Sequence, residues 1–306
     1  MKRTRREVVK LGVAAGASLL LGGGSLSAQS GRLIQRTIPS SGETVPVIGL
    51  GARNYRVGDD QAQRAPFKAT LKAFADGGGE LVDTAPGYGN SETVVGDLVA
   101  ELGIRDQLFV ATKVDREDRE EGLERIDDSF RYLRTDRLDL MQVHNLRGVD
   151  TQLGTLRNLK AQGRIRYLGI TTSSDRQYQR MIQILERETL DFIQLDYALD
   201  NRNVADRILP LAADRGMAVL VNLPFGRGRL FRAVGQRPLP DWAAEIDCSS
   251  WAQVFLKYVV SHPAITCVIP GTTKQHHAVD NQGAGWGRLP DAALRRTMES
   301  FIDGLT

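Results

Sequence analysis

ELVDTAPGYGNSETVVGDLVAEL, residues 80–102, holds one complete structural unit. The apolar run at its start reads as a short buried strand that ends on Asp83. Pro86, Gly87 and Gly89 then make a loop that carries Tyr88. Ser91 opens a helix, with Glu92 in its first turn. The unit poses a question. Why would a buried strand end on an acid, and its loop present a phenol a few residues later?

The same strand–loop–helix unit recurs on both sides. Apolar runs at 45–51, 108–114, 138–144, 165–171, 191–197, 217–224 and 265–271 read as further strands. Helical patterns lie between them, at 63–78, 122–134, 152–163, 176–188, 205–216 and 250–262. The first places Phe67, Leu71 and Phe74 at helical spacing and stops at Gly77; that over 152–163 closes on Gly163. Two more helices, 274–281 and 291–305, follow the last strand. The strands are short and rich in Val, Ile and Leu throughout, as parallel strands covered on both faces must be. Eight such units predict a closed (β/α)8 TIM barrel over residues 32–306. A doubly wound open sheet is the rival. It calls for a glycine fingerprint after its first strand, and GLGARN at 49–54 lacks the G-x-G-x-x-G spacing. Residues 33–47 read as a β-hairpin turning at Ser41 and Gly42, placed to cap the bottom of the barrel.

Residues 1–28 form a different kind of segment. A basic start, the apolar stretch Leu11 to Leu21, three glycines and small residues have the layout of a signal peptide, too short to span a bilayer. TRREVVK at 4–10 resembles a twin-arginine export signal, with Arg5 and Arg6 as the pair. Cleavage is expected after Ser27 or Ala28. This predicts recognition by the Tat export machinery, a periplasmic location and no membrane span after cleavage. The leader also distorts the charge. Lys2, Arg3, Arg5, Arg6 and Lys10 against Glu7 account for more than the whole chain's +3, so the remainder is close to neutral and gives no sign of nucleic-acid binding. Cys248 and Cys267 are too few for a disulfide framework, and Cys267 reads as a small core residue.

In a barrel of this kind, polar residues at the C-terminal ends of strands are the catalytic candidates. They are Asp83 after the second strand, Lys113 ending the third and His144 ending the fourth, with Tyr88 just beyond Asp83. Each alone is weak. Together they converge from adjacent strands on one face. Asp83 would hold the Lys113 ammonium in place. A lysine cation beside a phenol favours the phenolate left when the proton departs. His144 could donate to a carbonyl oxygen, and Tyr88 could protonate that oxygen as a hydride arrives. No metal-ligand pattern is present.

Asp83, Tyr88, Lys113 and His144 stand in an order and spacing that resembles the catalytic tetrad of the aldo-keto reductases. GLGARNY, DTAPGYGNSE, FVATKV, DLMQVHN, GRIRYLGIT and VIPGTTK are similar to that family as well, most of all to its branch with Tat export leaders. The resemblance implies a barrel without a Rossmann domain, an extended NADP(H) across its mouth and reversible carbonyl reduction. For the nicotinamide end it implies Gly51, Asp83, Thr171, Thr172, Gln194 and Asn222. Asn222 stands where many members place a stacking aromatic. Pro224, Gly226, Arg227 and Gly228 correspond to the pyrophosphate segment. Thr272, Lys274 and His277 correspond to the 2′-phosphate site, and Asp280 and Asn281 to the adenine site. His277 replaces a common Arg, yet NADP(H) is expected over NAD(H). Arg53, Asn54, Tyr88, His144, Asn145 and Trp242 are the substrate-pocket candidates. The implied partner is a small carbonyl or alcohol, and a monomer is expected. The alternative is a non-catalytic barrel subunit that only binds a nicotinamide nucleotide.

Overall fold

The computed structural model describes residues 33–305; the segment 1–28, read from its sequence as a leader, lies outside them. The chain enters through a hairpin of β1 (Gln35–Thr37) and β2 (Thr44–Pro46), with Arg36 opposite Val45. Gly42 makes the turn at φ +80°, a left-handed conformation that only glycine adopts freely, and its N–H donates to the Ile38 carbonyl at 2.9 Å.

Eight strands follow: β3 (Leu50–Gly51), β4 (Leu81–Asp83), β5 (Phe109–Val114), β6 (Leu138–Val143), β7 (Ile165–Thr171), β8 (Phe192–Asp196), β9 (Ala218–Asn222) and β10 (Cys267–Val268). They lie in sequence order, each parallel to the next. The ring closes where Ile48 bridges Val268 and Gly51 bridges Gly271, with Gly49 N–H on the Val268 carbonyl at 2.8 Å. A side chain at Gly51 would meet the Ile269 carbonyl at 2.8 Å, so glycine is what lets the two ends meet. The (β/α)8 barrel expected from the sequence is the fold.

Strand periodicity sorts the interior into two cores. One residue in two points into the barrel. Leu81, Phe109, Ala111, Leu140, Tyr167, Phe192, Ala218, Leu220 and Cys267 fill it, and Ile38 and Val45 of the hairpin close its lower end. The residues between them, such as Val82, Val110, Met141, Leu168, Ile193 and Val219, face the surrounding helices. Each such buried aliphatic side chain contributes roughly 1.5–3 kcal/mol.

The outer ring consists of α1 (Gln61–Asp76), α2 (Ser91–Leu102), α3 (Arg119–Tyr132), α4 (Val149–Ala161), α5 (Tyr178–Arg187), α6 (Ile208–Asp214), α7 (Arg229–Val234), α8 (Trp242–Glu245), α9 (Trp251–Val260), α10 (Gln275–Gly283) and α11 (Ala292–Asp303). Asp60, Asp118, Ser250 and Asp291 cap α1, α3, α9 and α11 by accepting first-turn amides. In α5 the residues Tyr178, Met181, Ile182 and Leu185 make a buried stripe at helical spacing.

The structure departs from the sequence reading in detail. The run 45–51 is shared between two sheets: its start belongs to the hairpin, and only Leu50 and Gly51 join the barrel. Ser91 does not cap α2. Its hydroxyl donates to the Ala52 carbonyl at 2.6 Å and ties the loop after β3 to the start of α2. Both cysteines are free thiols. Among the described residues no helix is long and apolar enough to cross a membrane.

Candidate active site

The inward-facing positions change character towards the C-terminal ends of the strands. On β5 the series Phe109, Ala111 ends in Lys113; on β4 Leu81 is followed by Asp83; on β6 Leu140 is followed by Gln142. Thr171, Gln194 and Asn222 complete a polar layer from β7, β8 and β9. This layer is the floor of an open cleft of about 490 Å³.

At its centre Lys113, wholly buried, donates to both carboxylate oxygens of Asp83, at 2.6 and 2.8 Å, and to the Thr84 carbonyl at 2.8 Å. All three ammonium protons are therefore placed. Burial works against this charge, but Asp83 and Tyr88 outweigh it and hold the ammonium above the ordinary lysine range. Gln194 donates to Asp83 at 2.9 Å and Gln142 at 3.4 Å. In turn the Gln194 carbonyl accepts from Thr171 at 3.0 Å.

Tyr88 stands over this pair. Its ring centroid is 5.4 Å from Lys113 Nζ and 5.8 Å from the His144 ring, edge to face. Both aromatic side chains line the cleft. Burial, reinforced by Lys113, pushes His144 down to about 4. At neutral pH its imidazole is uncharged, with one N–H to donate. The arrangement is a proton donor beside a neutral hydrogen-bond donor, above a fixed cation.

The backbone around the cleft is strained. Asn145, Leu223 and Arg227 all line it and all have φ between 51° and 54°. Left-handed non-glycine residues cost on the order of 1–3 kcal/mol each and gather at functional sites. Gly226, at φ +55°, leaves no room for a side chain: a Cβ there would sit 2.6 Å from both Asp200 carboxylate oxygens.

Residues 47–300 match the model of the Aldo/keto reductase family. The chain belongs to that family. Among its relatives is the methylglyoxal reductase YeaE of Escherichia coli, 28% identical over 250 residues that cover 79% of this chain and 87% of the relative. An aldo/keto reductase from Klebsiella pneumoniae in complex with NADP and acetate has 26% identity and a TM-score of 0.73, covering 87% of this chain and 94% of its own. A structure of an aldo-keto reductase from Klebsiella pneumoniae in complex with NADPH has 25% identity, the same TM-score, and covers 88% of this chain and 96% of its own.

As an aldo/keto reductase the chain places most of its expected residues together. Gly51, Arg53, Asn54, Asp83, Tyr88, His144, Asn145, Thr171, Gln194, Asn222, Pro224, Arg227 and Gly228 line the cleft, with Lys113 beneath. Gly226 lines an adjoining cavity. Thr172 is elsewhere: its hydroxyl donates to Gln177 at 2.5 Å, inside the loop after β7. Trp242 is also not in the cleft. It lines a separate groove with Glu245, Ile246, Arg288 and Leu289, its ring edge on Phe301 at 6.1 Å, because α8 packs against α11 rather than over the barrel mouth. Thr272, Lys274, His277, Asp280 and Asn281 lie outside the cleft, along the segment from β10 into α10. Lys274 and His277 are exposed there, and burial, His276 and Lys274 hold His277 below its usual range. Asp280 is committed within the fold, accepting from Ser250 and Gln253 at 2.8 Å each. Sequence reasoning missed Gln142, which is wholly buried beside Asp83. It stands two residues before His144 on the same strand face, so strand alternation carried the signal. It also missed Arg56 and Ser173 on the cleft wall.

The polar layer suits a nicotinamide. The Asn222 side-chain oxygen is buried without a partner, as a carboxamide N–H would require. Thr171, Gln194 and Asn222 would hold that ring. In the segment expected to meet a pyrophosphate, Gly226 and Gly228 already donate their N–H groups to the Leu223 and Phe225 carbonyls, at 2.9 Å each, so the Arg227 side chain on the cleft wall is what that segment would bring to it.

Proposed function

We propose that this protein is an NADP(H)-dependent oxidoreductase that interconverts an aldehyde or ketone with its alcohol. One observation carries the reading: the Tyr88 hydroxyl stands at an open cleft beside neutral His144 and above the buried Lys113–Asp83 pair. Bound NADPH would supply a hydride to the carbonyl carbon. His144 donates a hydrogen bond to the carbonyl oxygen and fixes its position. Tyr88 gives its proton to the same oxygen, and Lys113 stabilises the phenolate that remains. Asp83 holds Lys113 so that this charge stays under the phenol. Reversal follows the same path, with the Tyr88 phenolate taking the alcohol proton. Lys274, His277 and Thr272 are the candidates for the 2′-phosphate that distinguishes NADPH from NADH. The test is oxidation of NADPH followed by absorbance with aldehydes and ketones. Tyr88→Phe should lower turnover by about 10²-fold or more while NADPH binding stays near that of the wild type. A Tyr88→Phe protein that turns over normally overturns the mechanism. Nucleotide binding with no turnover on any carbonyl would favour a non-catalytic barrel subunit.

Residues 1–28 are read as a leader for twin-arginine export of a folded monomer to the periplasm. The pattern around Arg5 and Arg6 supports this. Replacing both arginines by lysine should leave the protein in the cytoplasm; unchanged fractionation overturns the reading.

A further inference from the structure

The loop after β3 brings two arginines to the cleft with no carboxylate to meet them. Tyr55 anchors this loop. It is wholly buried, its N–H donates to the Ala52 carbonyl at 2.9 Å, and its ring packs edge-on against Phe67 at 5.3 Å. With Tyr55 held inside, its neighbours Arg53, Asn54 and Arg56 are exposed and line the cleft. The Arg53 guanidinium carbon lies 5.8 Å from the Tyr88 ring centroid. Arg56 runs along the Tyr88 loop, where a methyl at Gly89 would come within 3.0 Å of its Cδ.

The nearby acids are all taken. Asp59 pairs with Arg64 at 2.6 Å, and Asp60 caps α1 by accepting from Gln63. Asp115, close to Gly87, pairs with Arg116 and Arg125 at 2.7 and 3.3 Å. Asp83, a cleft residue itself, is held by Lys113. Neither Arg53 nor Arg56 forms an ion pair or a side-chain hydrogen bond among the described residues. The substrate side of the cleft is thus a positive wall next to the proton donor, and it presents Asn54 and Asn145 rather than an aromatic surface.

We propose that the substrate is an anionic carbonyl compound, a short oxo acid or a phosphorylated aldehyde, whose charged end is clamped by Arg53 and Arg56 while its carbonyl meets Tyr88 and His144. This rests on the carbonyl-reducing function proposed above. Guanidinium groups suit it because each can give two parallel hydrogen bonds to a carboxylate or phosphate. The same positive wall draws the anion from solution.

The experiment compares matched pairs on the purified protein with NADPH: glyoxylate against its neutral amide, and glycolaldehyde phosphate against glycolaldehyde. At least one anion should exceed its neutral partner in kcat/KM by about tenfold or more. A response from the carboxylate pair alone assigns an oxo acid; from the phosphate pair alone, a phosphorylated aldehyde. Arg53→Met should lower kcat/KM for the preferred anion by about tenfold more than for its neutral partner. Arg53→Lys should restore part of the difference. Preference for the neutral compounds, or an equal loss for charged and neutral substrates in Arg53→Met, overturns the proposal. Should no carbonyl be reduced at all, equilibrium binding of glycolate and of glycolaldehyde phosphate still decides. Binding of either by the wild type that Arg53→Met weakens supports the clamp, and binding that is absent or indifferent to Arg53 removes it.

Discussion

Lys113 reaches both oxygens of Asp83 from a position with no solvent exposure, at 2.6 and 2.8 Å across two adjacent strands. This places an ion pair inside the barrel, where either charge without the other is costly. Asp83→Asn or Lys113→Met should each destabilise the fold by about 3–5 kcal/mol. The double variant should lose less than the two singles together, because no charge is left unpaired. Urea unfolding of the four proteins measures this. Additive losses would mean that the pair is not coupled in the folded state.

His144 gives a pH signature. Burial pushes it down to about 4, and burial does the same to His262. A free histidine titrates near pH 6.5. Between about pH 6.5 and pH 4 the unfolded chain therefore binds more protons than the folded one, and stability must fall as pH falls through that window. Urea midpoints taken across this range should decline towards acid. In His262→Gln the decline should be shallower. Raised carboxyls such as Glu92 oppose this trend, so the comparison of wild type with His262→Gln decides: identical slopes would show that His262 is not buried as described.

Glu92 behaves in the opposite sense. Burial raises its carboxyl above the usual range, against a bond from the Thr112 hydroxyl at 2.6 Å. The folded state holds this proton more tightly than the unfolded one, so at neutral pH the ionised group detracts from stability. Glu92→Gln keeps an oxygen for Thr112 and should be neutral or stabilising at neutral pH. A large loss in thermal midpoint would contradict this account.

Lys274 is the probe for cofactor choice. If it meets a 2′-phosphate, Lys274→Ala should weaken NADPH by about tenfold and leave NADH nearly unchanged, as removal of one charge-assisted contact predicts. Fluorescence titration with both nucleotides tests this, and equal losses would place the phosphate elsewhere.

Much of the fold was legible because buried parallel strands write themselves as apolar runs and amphipathic helices lie between them. Strand ends were less so. The stretch 45–51 serves the hairpin and the barrel in turn, and nothing in its apolar pattern marks where one hands over to the other. Ser91 has the sequence signature of a helix cap, but its hydroxyl answers a carbonyl from the loop after β3, a partner remote in sequence. The four strand-end and loop residues Asp83, Tyr88, Lys113 and His144 could be found from their positions alone. Gln142 lies level with Lys113 in the same layer and is open to the same logic, but on its own strand it stands one alternation before the end that His144 marks. Trp242 carried no periodic signal of its direction, which is set by the packing of α8 on α11.

The meeting of Gly51 and Gly271 has a consequence for how the protein comes into being. These residues belong to the first and last segments of the barrel wall, so the ring cannot close until nearly the whole domain has been made. Contacts between such distant parts of a chain are slow to form. Since both glycines also line the cleft, the pocket cannot be enclosed before they meet. A nascent or truncated chain that lacks the segment around Gly271 would have its tyrosine, lysine and histidine in sequence but no enclosed space in which to use them, and competence would arrive in a single step at closure.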